Sequence, residues 1–187
     1  MPRLFAALEI PHDVALSLSL LRGGLPGARW IEGADYHMTL RFFGDVAGPM
    51  ADEIVHALDR VECKSFTLRL KGIDVFTPKK PHSLYARVEA SSQLHALQAE
   101  IERVSRRLGL PPEKRNFTPH ITLARLKQVR LDDLVTYLSS RGNFLTDFFT
   151  VKRFVLMASK ESVGGGPYIV EEHWPLHHIS SGGEMIF

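Results

Sequence analysis

Two histidines, each followed two places later by a threonine and set among apolar positions, are the residues of this chain best suited to chemistry: His37-Met38-Thr39-Leu40 and His120-Ile121-Thr122-Leu123. In an extended strand, side chains alternate between faces at about 3.3 Å per residue, so each imidazole and its hydroxyl point the same way about 6.6 Å apart. The apolar pair points the other way, giving each copy one chemical side and one core side. Imidazole, with an ordinary pKa of about 6.5, both takes and gives a proton near neutrality. Two of them divide the work of phosphodiester cleavage: one deprotonates the attacking oxygen and the other protonates the departing alkoxide, from opposite sides of phosphorus. Thr39 and Thr122 have hydroxyls at the offset needed to donate hydrogen bonds to the non-bridging oxygens. A single His-x-Thr is a common strand tripeptide, so the matched pair carries the reading.

The other histidines form no comparable set. His12, His56, His82 and His95 are scattered, and His173, His177 and His178 gather near the C-terminus without a carboxylate or cysteine ligand pattern. No metal and no cofactor are expected. The absence of a Gly-rich, lysine-bearing nucleotide loop argues against an ATP-driven ligase. One cysteine, Cys63, excludes an internal disulfide framework and multi-cysteine metal clusters and favours a reducing compartment. Hydrophobic content of 44%, charged content of 24% and a net charge of +2 describe an ordinary globular protein that admits a phosphate ligand without being a dedicated nucleic-acid binder. The opening Leu4-Phe5-Ala6-Ala7-Leu8 is too short for a signal-peptide core, and no stretch approaches the roughly 18 apolar residues of a membrane span. A cytoplasmic monomer with no membrane contact is expected.

The elements that must position the two motifs follow from periodicity and punctuation. Leu4 to Leu8 reads as a first strand. Pro11-His12-Asp13 starts a helix with Val14, Leu18 and Leu21 on one face, although Val14, Leu16, Leu18 and Leu20 also alternate as a strand would. Trp30-Ile31 leads into the first His strand, about residues 36 to 43, closed by Gly44-Asp45. Pro49 opens a helix burying Met50, Ile54, Leu58 and Val61, with His56 on its solvent side. Phe66, Leu68 and Leu70 alternate as a half-buried strand, and Leu84 to Glu89 is another. Between them Thr77-Pro78-Lys79-Lys80-Pro81 is a rigid basic turn, fit for the rim of an anionic site or for plain solvent. Ser91-Ser92 caps a helix whose stripe is Leu94, Leu97, Ile101, Val104 and Leu108, ended by Gly109. A loop bearing Lys114 and Arg115 delivers the chain through Pro119 to the second His strand. A helix around Leu131 to Ser140, a long strand over Phe148 to Ser159, a Gly164-Gly165-Gly166 turn and a strand from Tyr168 to Trp174 complete the chain. Strand, helix and His strand thus occur twice with no linker between them, which predicts one bilobal domain over residues 1–187, two pseudo-repeated lobes sharing a groove.

The chain resembles the two-histidine phosphoesterase superfamily, and within it the RNA 2′,3′-cyclic phosphodiesterases, also called 2′-5′ RNA ligases. The resemblance rests on Leu4 to Leu8, Trp30, the extended motifs His37-Met38-Thr39-Leu40-Arg41-Phe42-Phe43-Gly44 and Phe117-Thr118-Pro119-His120-Ile121-Thr122-Leu123-Ala124-Arg125, and Ser159, Gly166, Tyr168 and Trp174. It implies an α+β fold with two antiparallel sheets facing each other across a central groove and helices outside. It also implies metal-independent hydrolysis of a ribose 2′,3′-cyclic phosphate to a 2′-phosphate, the partner being such an RNA end or a cyclic nucleotide. By the same resemblance His37 is general acid to the leaving 3′ oxygen, His120 general base on water, and Thr39 and Thr122 hold the phosphate. Phe42 and Arg125, five places after each His, sandwich the terminal base. Strict alternation sets a residue five places on against the opposite face, so a bulge or the strand end must turn each of them back into the groove. Two other functions use the same residues: joining of RNA ends into a 2′-5′ bond, with a 5′-hydroxyl in place of water, and a non-catalytic module that holds RNA ends. The last has no need of an acid–base pair.

Overall fold

The structure is a computed structural model that describes residues 3–159 and 166–177; the Gly164-Gly165 turn and His178 lie outside them. The first strand, β1 (Arg3–Glu9), is followed by α1 (His12–Ser19), β2 (Ala28–Trp30), the first His strand β3 (His37–Asp45) and α2 (Gly48–Leu58). Then come β4 (Phe66–Leu68), β5 (Leu70–Phe76), β6 (Ser83–Val88), α3 (Ser92–Arg107), the second His strand β7 (His120–Leu126) and α4 (Leu131–Arg141). The last strands are β8 (Phe149–Val151), β9 (Arg153–Ser159) and β10 (Tyr168–Pro175).

All sheet pairs are antiparallel, in the order β10-β9-β1-β3-β7-β6-β5, with β2 also on β7 and β4-β8 forming a small separate sheet. At the centre, β3 and β7 meet at one residue pair, Met38 opposite Ile121. Among the described residues the two halves of the sheet are therefore continuous at this pair alone, where both side chains are fully buried. The order strand, helix, His strand, helix, strand occurs twice, as β1-α1-β3-α2-β5 and β6-α3-β7-α4-β9. In each copy the last strand crosses over: β5 pairs with β6 and β9 with β1.

Burial explains most of the elements. The ambiguous segment is a helix because only that period separates buried Val14 and Leu18 from Leu16 (55% exposed) and Leu20 (81%). The long helix α3 starts where the Leu94 N–H donates to Ser91 Oγ at 3.1 Å, and it buries Leu94, Leu97, Ile101 and Val104. These helical stripes and the apolar sides of both His motifs form one core on one face of the sheet. A smaller cluster, Phe5, Ala7, Val155 and Met157 with Tyr168 against it, lies apart from that core on the side of the His37 ring.

Two expected strands are broken. The alternation of Phe66, Leu68 and Leu70 holds, but at Arg69 the chain leaves β4 for β5 and changes sheet partner, with Arg69 Nε held 2.8 Å from Glu89. Likewise Phe148 to Ser159 divides at Lys152 into β8 and β9, so the small sheet spans both breaks. A pattern of apolar and polar residues records which face is buried, not which strand is the neighbour.

Candidate active site

Each His strand carries a bulge at the same place in its motif. In β3, Ala7 stands opposite Thr39 and Ala6 opposite Arg41, so Leu40 is the extra residue. In β7, Tyr85 stands opposite Thr122 and Leu84 opposite Ala124, which makes Leu123 the extra residue. Leu40 and Arg41, like Leu123 and Ala124, are consecutive buried residues, and the reversal of parity returns Phe42 and Arg125 to the face of His37 and His120. The turned strand in β3 is fastened by the buried Arg41 guanidinium. It donates to the carbonyls of Pro111 (2.6 Å) and Phe42 (3.2 Å) and lies 2.7 Å from Glu102.

The two imidazoles are held alike. Nδ1 of His37 lies 2.8 Å from the Asp35 carbonyl, and Nδ1 of His120 lies 2.7 Å from the Thr118 carbonyl, each two residues upstream. A carbonyl only accepts, so Nδ1 carries the hydrogen in both and Nε2 is left to exchange protons in the groove. Aromatic rings fix the orientation: Phe5 (5.0 Å between centroids) and Tyr168 (4.8 Å) flank His37, while Phe76 (4.8 Å) and Tyr85 (5.5 Å) flank His120. Asp35 serves twice, since its carboxylate accepts from the Tyr168 N–H at 3.2 Å. Burial pushes the His37 imidazole below its ordinary pKa, opposed by the Asp35 carbonyl and charge and assisted by His120 and Arg125. Burial likewise lowers His120, against the Thr118 carbonyl and with the help of Arg125. Thr39 and Thr122 share the imidazole side of their strands, and among the described residues neither hydroxyl has a hydrogen-bond partner.

Because β3 and β7 run antiparallel from Met38 and Ile121, the residues after the two histidines leave in opposite directions. Phe42, 52% exposed with its ring 5.6 Å from Phe5, lies toward one end of the groove. Arg125 starts toward the other, where Nη1 donates to Ser83 Oγ at 3.2 Å, and its charge still bears on His37, His120 and Tyr168. The two side chains expected to sandwich a base therefore do not face each other from neighbouring strand positions; the guanidinium reaches back toward the imidazoles. Periodicity did not point to Phe5, Phe76, Tyr85, Ser83 or the Asp35 carbonyl. No group of three His, Cys, Asp or Glu able to hold a metal occurs among the described residues, and His173 and His177 are exposed.

Matched imidazoles with free Nε2 atoms, paired threonines and two antiparallel half-sheets joined at the His strands are the arrangement of two-histidine phosphoesterases. The sequence model of the 2′-5′ RNA ligase superfamily matches residues 21–162, and the chain belongs to that family. It is 35% identical over 128 residues to an RNA 2′,3′-cyclic phosphodiesterase of Aeropyrum pernix, spanning 67% of this chain and 72% of that one. To the RNA 2′,3′-cyclic phosphodiesterase of Aquifex aeolicus it is 30% identical over 153 residues, 79% of this chain and 81% of the relative. Its fold matches the crystal structure of E. coli LigT complexed with 3′-AMP at a TM-score of 0.76 and 22% identity, covering 94% of this chain and 99% of the other. No helix among the described residues is long and apolar enough to cross a membrane.

Proposed function

We propose that the chain hydrolyses the 2′,3′-cyclic phosphate at RNA 3′ ends to a 2′-phosphomonoester, by acid–base catalysis between His37 and His120. The observation that carries this reading is the pair of Nδ1 hydrogen bonds to the Asp35 and Thr118 carbonyls, which direct two Nε2 atoms into one groove. Binding alone would use neither as an acid or a base. His120 Nε2 takes a proton from water as the water oxygen bonds to phosphorus. In line, the bond from phosphorus to O3′ breaks, and O3′ takes a proton from Nε2 of the His37 imidazolium. Burial disfavours that imidazolium in the free protein, and a bound phosphate anion restores it. Thr39 and Thr122 donate to the non-bridging oxygens. Arg125 supplies the nearby positive charge, and Phe42, with one side of its ring open, stacks on the terminal base.

The chain is read as one bilobal domain acting as a monomer in the cytoplasm, its lobes bound together by the exchange of β5 and β9. The substrate is an RNA end. Incubation of a short RNA ending in 2′,3′-cyclic phosphate should yield the 2′-phosphomonoester, read by phosphorus NMR. Failure to open the ring rejects the reading.

A further inference from the structure

The Arg125 end of the groove carries more positive charge than the reaction at phosphorus uses. Arg29 on β2 stands directly opposite Arg125 on β7, and residues opposed across an antiparallel pair project to the same face. Its neighbours agree: Ala28 and Trp30 pack on the core, Trp30 with its ring 5.9 Å from Tyr137, which leaves exposed Arg29 on the groove side. Two arginines in direct opposition repel. The carboxylates of this region are engaged elsewhere, Glu32 with Arg22 and Asp74 with Arg87, and among the described residues neither Arg29 nor Arg125 has an acidic partner. The basic turn at Lys79 and Lys80 adds charge at the same end, since β6 begins with Ser83 opposite Arg125. At the Phe42 end, by contrast, β3 closes on Asp45, which Arg3 approaches at 3.9 Å.

The geometry of the sugar says what this charge meets. In a ribose 2′,3′-cyclic phosphate the base on C1′ and the 5′ carbon on C4′ flank the C2′–C3′ edge on opposite sides. The 5′ carbon leads to the preceding phosphodiester; with phosphorus between the histidines that chain must leave along the groove, and of the groove's two ends the one at Arg125 and Arg29 offers positive charge with no acidic partner among the described residues. We propose that Arg29, beside Arg125, binds the phosphodiester on the 5′ side of the terminal nucleoside, so that the enzyme selects a polynucleotide end over a cyclic mononucleotide. This rests on the function proposed above. Arg125 lies four residues beyond Ile121, about 13 Å along the strand, and an arginine side chain reaching back from β2 shortens that gap toward the spacing of neighbouring phosphates.

The test compares kcat/KM for 2′,3′-cyclic AMP, for a diadenosine dinucleotide ending in 2′,3′-cyclic phosphate, and for the same dinucleotide with a neutral methylphosphonate link. The wild type prefers the charged dinucleotide. Arg29→Ala lowers that preference about tenfold, the scale of one hydrogen bond to a charged group, and Arg29→Lys restores part of it. The methylphosphonate lowers the wild-type preference to a similar degree and makes it insensitive to Arg29→Ala. In wild type the salt slope for the charged dinucleotide exceeds that of the variant by about 0.7. An unchanged preference in Arg29→Ala, or an equal loss on all three substrates, overturns the proposal. Failure of the wild type to open any of the three rings instead overturns the proposed function.

Discussion

Phe42→Ala and Arg125→Ala should fail in different kinetic parameters, because the two side chains leave the centre of the groove in opposite directions. Phe42 already rests on Phe5 at 5.6 Å and is 52% exposed, so one side of its ring is available to a base. Truncation removes a stacking contact of about 1 to 3 kcal/mol; for a half-exposed ring the lower part of that range applies, about 5- to 30-fold in KM. The chemical step should change little. Arg125, whose charge bears on both imidazoles, acts where negative charge grows at phosphorus, and losing such a donor costs about 10² to 10³ in kcat. Steady-state kinetics on 2′,3′-cyclic AMP separate the two effects. An abasic ribose cyclic phosphate serves as control, since Phe42→Ala should have no stacking left to remove there. A rise in KM alone for Arg125→Ala, or a fall in kcat alone for Phe42→Ala, refutes this division of labour.

Both histidines have folded-state values below the ordinary one, so below about pH 6.5 the unfolded chain binds more protons. Their contribution to stability is complete above that pH and is lost as pH falls through the folded values. Urea midpoints at pH 7.5 and 5.5 should therefore differ, and the difference should shrink in His37→Ala; an equal acid sensitivity in the variant contradicts the burial argument. Removing the Arg41 side chain takes the only close partner of Glu102 Oε2 among the described residues, leaves that carboxylate to Arg106 and the Glu113 N–H through Oε1, and unties the Pro111 and Phe42 carbonyls. It should cost about 1.5 to 3 kcal/mol, seen as a lower Tm in calorimetry, and a Tm within error of wild type contradicts it. Proton transfer by two imidazoles does the work that a metal does elsewhere, so EDTA should leave turnover intact, and loss restored by a divalent ion contradicts that.

The two motifs were legible because their strands separate polar from apolar side chains, and α3 was legible from its Ser91 cap and long stripe. The bulges were half legible. Leu123-Ala124 is an apolar pair that breaks alternation, whereas Leu40-Arg41 preserves it on paper and conceals a buried arginine. Phe5 was invisible as a groove residue because β1 is apolar on both faces, so nothing marks which side it takes. β2, only Ala28-Arg29-Trp30, is too short for a period, and without it the opposition of Arg29 and Arg125 could not be read. The breaks at Arg69 and Lys152 change partner without changing face.

The assignment of His37 as acid and His120 as base is tested most directly with a ribose 2′,3′-cyclic phosphate whose bridging 3′ oxygen is replaced by sulfur. A thiolate leaves without a proton, so this substrate needs the base and not the acid. With the oxygen substrate, His37→Ala and His120→Ala should each lose about 10² to 10⁴ in single-turnover rate. With the sulfur substrate, His37→Ala should return to near the wild-type rate while His120→Ala stays impaired. Recovery of His120→Ala with continued failure of His37→Ala would reverse the two roles, and recovery of neither would contradict a protonated leaving group altogether.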